Sequence, residues 1–259
     1  MSALTLIQPI TGRNGPALLP EVANWRQGRT LYGGASALIA YAHATRAFQD
    51  LPPLRAAQVA FVAPIGEEVE LRSEIIRQGK NVTQVRSEII SEGTIALTSF
   101  WLFGTEREAN AVHPAAKAEP WPGGPEDYKP LDLERGPSFL RENFEMRRAQ
   151  DSSGPGQPVV RRWFRLKDHE AIDPVSSVIL LGDTLPPGAM RAMRRQGPIS
   201  SINWSLNLLE PEPATQDGWW LGETRSDHAD HGYSSERLSL WNTDGQRVIS
   251  GLQSVAIFG

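Results

Sequence analysis

The sequence predicts an α+β fold of two consecutive units, each an antiparallel sheet wrapped around one central helix. Three observations carry that expectation. A helix-like stretch followed by four strand-like runs occurs twice along the 259 residues, a weak internal repeat. Each half places an acidic residue and a glycine between its last two strands, Glu92-Gly93 and Thr243-Asp244-Gly245, and the halves end alike on Leu102-Phe103-Gly104 and Ile257-Phe258-Gly259. Between them, Thr105 to Gly136 is rich in Pro, Gly, Ala and Glu and contains Trp121-Pro122-Gly123-Gly124-Pro125, the composition of a linker. The expected boundaries are therefore 1–104, 105–136 and 137–259.

Taken in order, Met1 to Pro20 is expected to add strand to the first sheet. Gly33 to Phe48 is the first helix. Strands follow at Ala56–Val62, Glu68–Arg77, Val82–Ser91 and Thr94–Phe103, the first with β-rich alternation and the last two joined by a hairpin turn at Glu92-Gly93. Phe139–Ala149 and Val159–Leu166 read as extra strands ahead of the second helix. That helix starts well, with Asp173 as N-cap and Pro174 at the first helical position. It continues through Val175, Val178, Ile179, Leu180 and Leu181, too apolar for a surface helix, until Gly182 and Pro186-Pro187 stop it. Ile199–Leu209, Trp219–Thr224, Ser234–Asn242 and Arg247–Phe258 complete the second set of strands. A sheet wrapped around a central helix is the hotdog architecture, and two in one chain make a double hotdog. The two antiparallel sheets can pair edge to edge, which removes exposed edges and leaves a groove near the seam.

Composition excludes several classes. With 40% hydrophobic and 22% charged residues the chain reads as globular. A formal net charge of −4 argues against nucleic acid as a partner. The absence of Cys removes disulfides, thiolate nucleophiles and thiolate metal sites. No apolar run approaches about 18 residues, and the N-terminus lacks the basic and apolar regions of a signal peptide, so no membrane and a cytoplasmic location are expected.

The chain resembles the double-hotdog acyl-CoA thioesterases of the acyl-CoA thioesterase II type. The landmarks are Leu31-Tyr32-Gly33-Gly34, the Arg77-Gln78-Gly79-Lys80-Asn81 hairpin, Leu181-Gly182-Asp183, Ile199-Ser200-Ser201-Ile202-Asn203, and Asp244-Gly245 leading to Gly251-Leu252-Gln253. The resemblance implies an acyl-CoA substrate, no cofactor, a homodimer, and a water activated by an Asp, a Thr or Ser and a Gln from the second unit. These fall on Asp183, Ser201 and Gln253. Relatives often read Thr-Ile-Asp-His-Ser where this chain reads Ser201-Ile202-Asn203-Trp204-Ser205; the hydroxyl is kept, while the Asp-His pair is lost.

The residues themselves are compatible with that chemistry. Asp183 follows the C-terminus of an apolar helix, where partial negative charge disfavours a carboxylate. It either satisfies amides in its own turn or serves a purpose. Aligning the two helices puts Ala42 opposite Asp183, so the repeat itself does not demand an acid there. Period-2 alternation places Gln253 on a mainly apolar face with Gly251, Val255 and Ile257. Without Cys or a Gly-x-Ser-x-Gly elbow, direct attack by water fits a thioester better than an acyl-enzyme. Gly33 and Gly34 at a helix start would let a substrate carbonyl approach free amides.

Other signals are weaker. Arg194, in the run Arg191-Ala192-Met193-Arg194-Arg195, could meet coenzyme A phosphates. Asp227-His228-Ala229-Asp230-His231 resembles a metal cluster but reads as a solvated turn, so no metal is expected. Trp219-Trp220 on an edge strand could support a dimer, with core packing as the default. A non-catalytic acyl-CoA or aromatic ligand-binding protein is the alternative function. A dehydratase ranks last, since His43 has no matching carboxylate motif.

Overall fold

The computed structural model describes residues 2–20, 22–150 and 156–258. Gly259, part of the repeated ending, lies outside them. Helix α1 (Ala3–Ile7) is capped by Ser2, whose hydroxyl accepts from the Thr5 amide at 3.2 Å. After strand β1 (Gly15–Leu18) come the short pair β2 (Arg26–Gln27) and β3 (Thr30–Leu31) and helix α2 (Gly33–Ala47). Strands β4 (Leu54–Phe61), β5 (Glu68–Gln78), β6 (Val82–Ser91) and β7 (Thr94–Gly104) complete the first half. The second contains α3 (Ser138–Asn143), β8 (Phe144–Arg148), β9 (Val159–Leu166), α4 (Pro174–Leu181), β10 (Ile199–Leu208), β11 (Trp220–Asp230), β12 (Tyr233–Trp241) and β13 (Arg247–Ile257).

Where two antiparallel sheets were expected, one is found. Eleven strands run in the order β1-β5-β6-β7-β4-β10-β13-β12-β11-β9-β8, all antiparallel. The join is β4 against β10, with Ala60 opposite Asn203 and Ala56 opposite Asn207. Both helices pack on the inner face. Leu38 and Ile39 of α2 and Val178 and Ile179 of α4 share a hydrophobic cluster with Val59, Val85, Leu206 and Ile249. Residues Gly34 to Ala44 of α2 are buried without a break, as enclosure by a curved sheet requires.

The two helices differ in length, 15 residues against 8. Ala42 therefore sits inside a helix, whereas Asp183 falls in the loop that Gly182 and Pro186-Pro187 impose on the second half. The N-cap of α4 is as expected, Asp173 accepting from the Ser176 amide at 2.9 Å. Glu92-Gly93 and His231-Gly232 both take positive φ, at 52° and 74° and at 51° and 81°, the mark of a two-residue hairpin turn.

Four expectations change. Phe139–Ala149 is not one strand: Ser138–Asn143 is helical, because Phe139 turns inward to stack on Tyr32 with centroids 4.2 Å apart, and the Asn143 side chain bonds back to Phe139 O. Residues 2–20 supply a helix as well as β1. Trp220 opens β11, which lies between β12 and β9 rather than at an edge, and Trp219 is buried between the guanidiniums of Arg147 and Arg165; neither is placed for a dimer contact. Asp227–Asp230 belong to β11, leaving His231-Gly232 as the turn, and no group of His, Cys, Asp or Glu able to hold a metal occurs among the described residues.

The Pro/Gly-rich segment 105–136 is irregular apart from one 3-10 turn at Pro125–Asp127 and a single bridging residue, Pro130, but it is clasped to the outer face of the second half's strands. Ala118 packs with Trp163, Trp219, Leu221 and Trp241. Trp241 Nε1 donates to Ala116 O at 3.1 Å, and Arg161 donates to Pro120 O at 2.8 Å while pairing with Glu223. No helix among the described residues is long and apolar enough to cross a membrane.

Candidate active site

Asp183 stands where the two helices meet. The tail of α4 abuts the head of α2: a Cβ on Gly34 would strike Leu180 O and the Tyr32 ring, and one on Gly33 would strike Asp183 Oδ2. Glycine at both positions is what allows this approach. The carboxylate therefore meets the positive end of α2 as well as the negative end of α4, a balance that α4 alone did not reveal.

Gln253, on β13, is buried as its apolar face required, with 4% exposure. Its Nε2 donates to Asp183 Oδ1 at 2.6 Å and to Ser201 Oγ at 2.7 Å, and Ser201 Oγ lies 3.5 Å from the same carboxylate oxygen. Both amide protons are thereby committed, and the Ser201 hydroxyl directs its own proton at Asp183 Oδ1 while keeping a lone pair free to accept. The position of Ser201 depends on an irregularity in β10. The inward alternation of Trp204, Leu206 and Leu208 would put Ile202 on the inner face. A register shift between Ser201 and Asn203 against β13 turns Ser201 inward instead and leaves Ile202 40% exposed, as a bulge does.

Asp183 sits within protein on most sides and keeps part of its surface towards the adjoining cavity. Desolvation raises its pKa from 3.8 to about 7, against the opposing pull of the Gln253 and Ser201 hydrogen bonds. The cavity has a volume of about 330 Å³ and takes walls from both halves: Gly33, Phe61 and Pro64 from the first, Asp183, Ile199 and Ser201 from the second. Trp204 lies below, its ring against Gly182.

Of the residues expected at the site, Asp183, Ser201, Gln253 and Gly33 come together. Gly34 instead serves helix packing, one layer below. Arg194 is exposed and does not line the cavity; the arginine that does is Arg29, between β2 and β3. Sequence reasoning missed Arg29, Phe61, Tyr32 and Trp204. Only Tyr32 carried a signal, its place beside Gly33-Gly34.

Residues 22–104 match the acyl-CoA thioesterase N-terminal domain family, and residues 113–257 match the acyl-CoA thioesterase C-terminal domain family. The chain belongs to the acyl-CoA thioesterases. Their chemistry is hydrolysis of a thioester. No curated protein matches the thioesterase chain by sequence. Among solved structures, it is similar to a hot dog fold protein of unknown function from Alicyclobacillus acidocaldarius, with a TM-score of 0.85, 19% identity, and coverage of 100% of this chain and 99% of that one. The tesB protein of Mycobacterium avium subspecies paratuberculosis gives a TM-score of 0.78 at 18% identity, covering 99% and 98%. Acyl-CoA thioesterase II TesB2 from Mycobacterium marinum gives 0.70 at 18%, covering 87% and 88%. At these identities the likeness shows a shared hot dog fold.

Proposed function

We propose that the thioesterase hydrolyses acyl-CoA directly, with Asp183 as general base and Ser201 and Gln253 holding the attacking water. The reading rests on one observation: a buried amide donates to both the carboxylate and the hydroxyl at 2.6 and 2.7 Å. Gln253 thereby fixes Oδ1, and Oδ2 faces the head of α2 beside Gly33. A water between Oδ2 and the Ser201 hydroxyl would be oriented by both. As its oxygen attacks the thioester carbon, Asp183 takes the proton. The free amides of the first turn of α2 receive the developing oxyanion. Collapse of the tetrahedral intermediate breaks the C–S bond, and the proton on Asp183 passes to the departing thiolate, giving a carboxylic acid and coenzyme A. A base with a pKa of about 7 is well matched to neutral pH.

In the same reading the continuous sheet is a double hotdog, residues 1–104 and 137–259 forming its units and 105–136 the connection. The β4–β10 pairing and the two family matches support it.

Thiol release from a panel of acyl-CoAs tests the mechanism. Asp183→Asn is expected to lower kcat by about a hundredfold or more, the usual worth of a positioned base. Turnover equal to wild type would remove Asp183 from the chemistry.

A further inference from the structure

We infer that Tyr32, from the first half of the chain, is the positioning residue for the Asp183 carboxylate; the inference rests on the proposed role of Asp183 as base. Tyr32 is the N-cap residue of α2 and is fully buried. Its ring is fixed by stacking on Phe139 at 4.2 Å and by an edge contact with Phe144 at 6.3 Å. Its hydroxyl donates to Leu180 O. Because that proton is used, the 2.8 Å contact with Thr184 Oγ1 must be a donation from Thr184 to the phenolic oxygen. One hydroxyl thus contacts chain on either side of the base, at Leu180 before it and at Thr184 after it.

The arrangement caps α4 from outside its own half. A helix ends with carbonyls that lack intrahelical partners, and α4 is only 8 residues long, with Gly182 at its C-cap in ordinary helical conformation. The left-handed closing turn that usually satisfies such an end is missing. Tyr32 supplies the replacement, and Gly34 makes room for it, since a Cβ there would overlap both Leu180 O and the Tyr32 ring. The far side of the loop is held separately, by Thr224 Oγ1 donating to Pro186 O at 2.6 Å and by Glu236 accepting from the Gly188 amide at 2.7 Å. Burial and the nearby Asp183 charge keep the phenol protonated, so the donor is present at every pH where the enzyme would work.

Loss of the hydroxyl frees the tail of α4. Asp183 Oδ1 then drifts from Gln253 and Ser201, whose hydrogen bonds hold its pKa down, and the base becomes both misplaced and harder to ionise. The test compares wild type, Tyr32→Phe, Thr184→Val, Asp183→Asn and Ser99→Ala on the best acyl-CoA of a panel. It records kcat per folded chain, KM and the acid limb of the pH profile. Ser99 is a buried hydroxyl bonded to Ser87 O in the first half; its variant controls for general destabilisation and is expected to change Tm alone. Tyr32→Phe is expected to lower kcat tenfold or more with KM within twofold, and to move the acid limb upward; Thr184→Val does the same more weakly. If Tyr32→Phe keeps the wild-type kcat and acid limb while Asp183→Asn is inactive, Tyr32 is not a positioning residue, although the base assignment stands. A loss confined to KM overturns the inference equally. If Tyr32→Phe does not fold, the same criteria apply to Thr184→Val. Wild-type turnover by Asp183→Asn removes the base and this inference together.

Discussion

Gly182 rests against the indole of Trp204, so closely that a Cβ on the glycine would overlap Cζ2 of the ring. Trp204 also faces Gln253 across the β10–β13 ladder. One cross-strand pair therefore supplies both the floor beneath the Gly182–Asp183 turn and the amide that holds the carboxylate.

Gly182→Ala should force the turn off that floor. Overpacking of a filled interior costs about 1–3 kcal/mol, and here the displaced group is Asp183. A lower denaturation midpoint together with a reduced kcat is expected; an unchanged midpoint would mean that Trp204 can move aside.

Asp183 gives a dependence on pH in two readouts. As the base must be ionised, kcat/KM should fall below an acid limb near 7. Stability has the opposite sense. The folded pKa is raised above the unfolded value, so the folded chain binds the proton more tightly, and this stabilisation is complete below about 4 and lost as pH rises through about 7. Every tenfold difference in proton affinity between the folded and unfolded chain is worth roughly 1.4 kcal/mol. Urea midpoints measured across that window should decline for wild type and lose this component in Asp183→Asn.

Gln253→Ala removes both donors from the site. Asp183 loses one of the two hydrogen bonds that favour its ionised form, so the acid limb should move up. Ser201 loses the amide that donates to its hydroxyl, and kcat should fall by roughly tenfold to a thousandfold. A pH profile superimposable on wild type would show that the amide is not coupled to the base.

Arg161→Met should loosen the clasp between the connecting segment and the second half. The change leaves Glu223, with a side chain 11% exposed, without its nearest guanidinium, and removes the donor to Pro120 O. Breaking a buried ion pair from one side costs about 3–5 kcal/mol where the remaining charge is left alone, and Arg225, 3.4 Å from Glu223, keeps the cost here below that range. Limited proteolysis is expected to cut within 105–136 in the variant before wild type; identical digestion patterns would place the strength of the clasp in its tryptophans.

Local signals explain what was legible in the sequence. The Asp173-Pro174 start, the Gly182 stop and the Glu92-Gly93 turn each act within a few residues, and those elements are found within one or two positions. Gln253 was legible because strand alternation is local too. Ser201 was reached only through the family resemblance and not from its own pattern, because its inward turn depends on a bulge set by pairing with β13. Phe139 left its strand-like pattern to reach Tyr32, more than a hundred residues away. The closeness of Gly33 to Asp183, and the single sheet made by β4 and β10, are likewise contacts between halves that no local pattern encodes.

The β4–β10 seam has a consequence for how the cavity behaves on dilution. Its walls come from two sheet regions that a single backbone holds at fixed stoichiometry. Bringing them together is an intramolecular event governed by an effective concentration rather than by encounter in solution. The cavity walls named above are all supplied by one polypeptide, so no second copy is needed to bring them face to face.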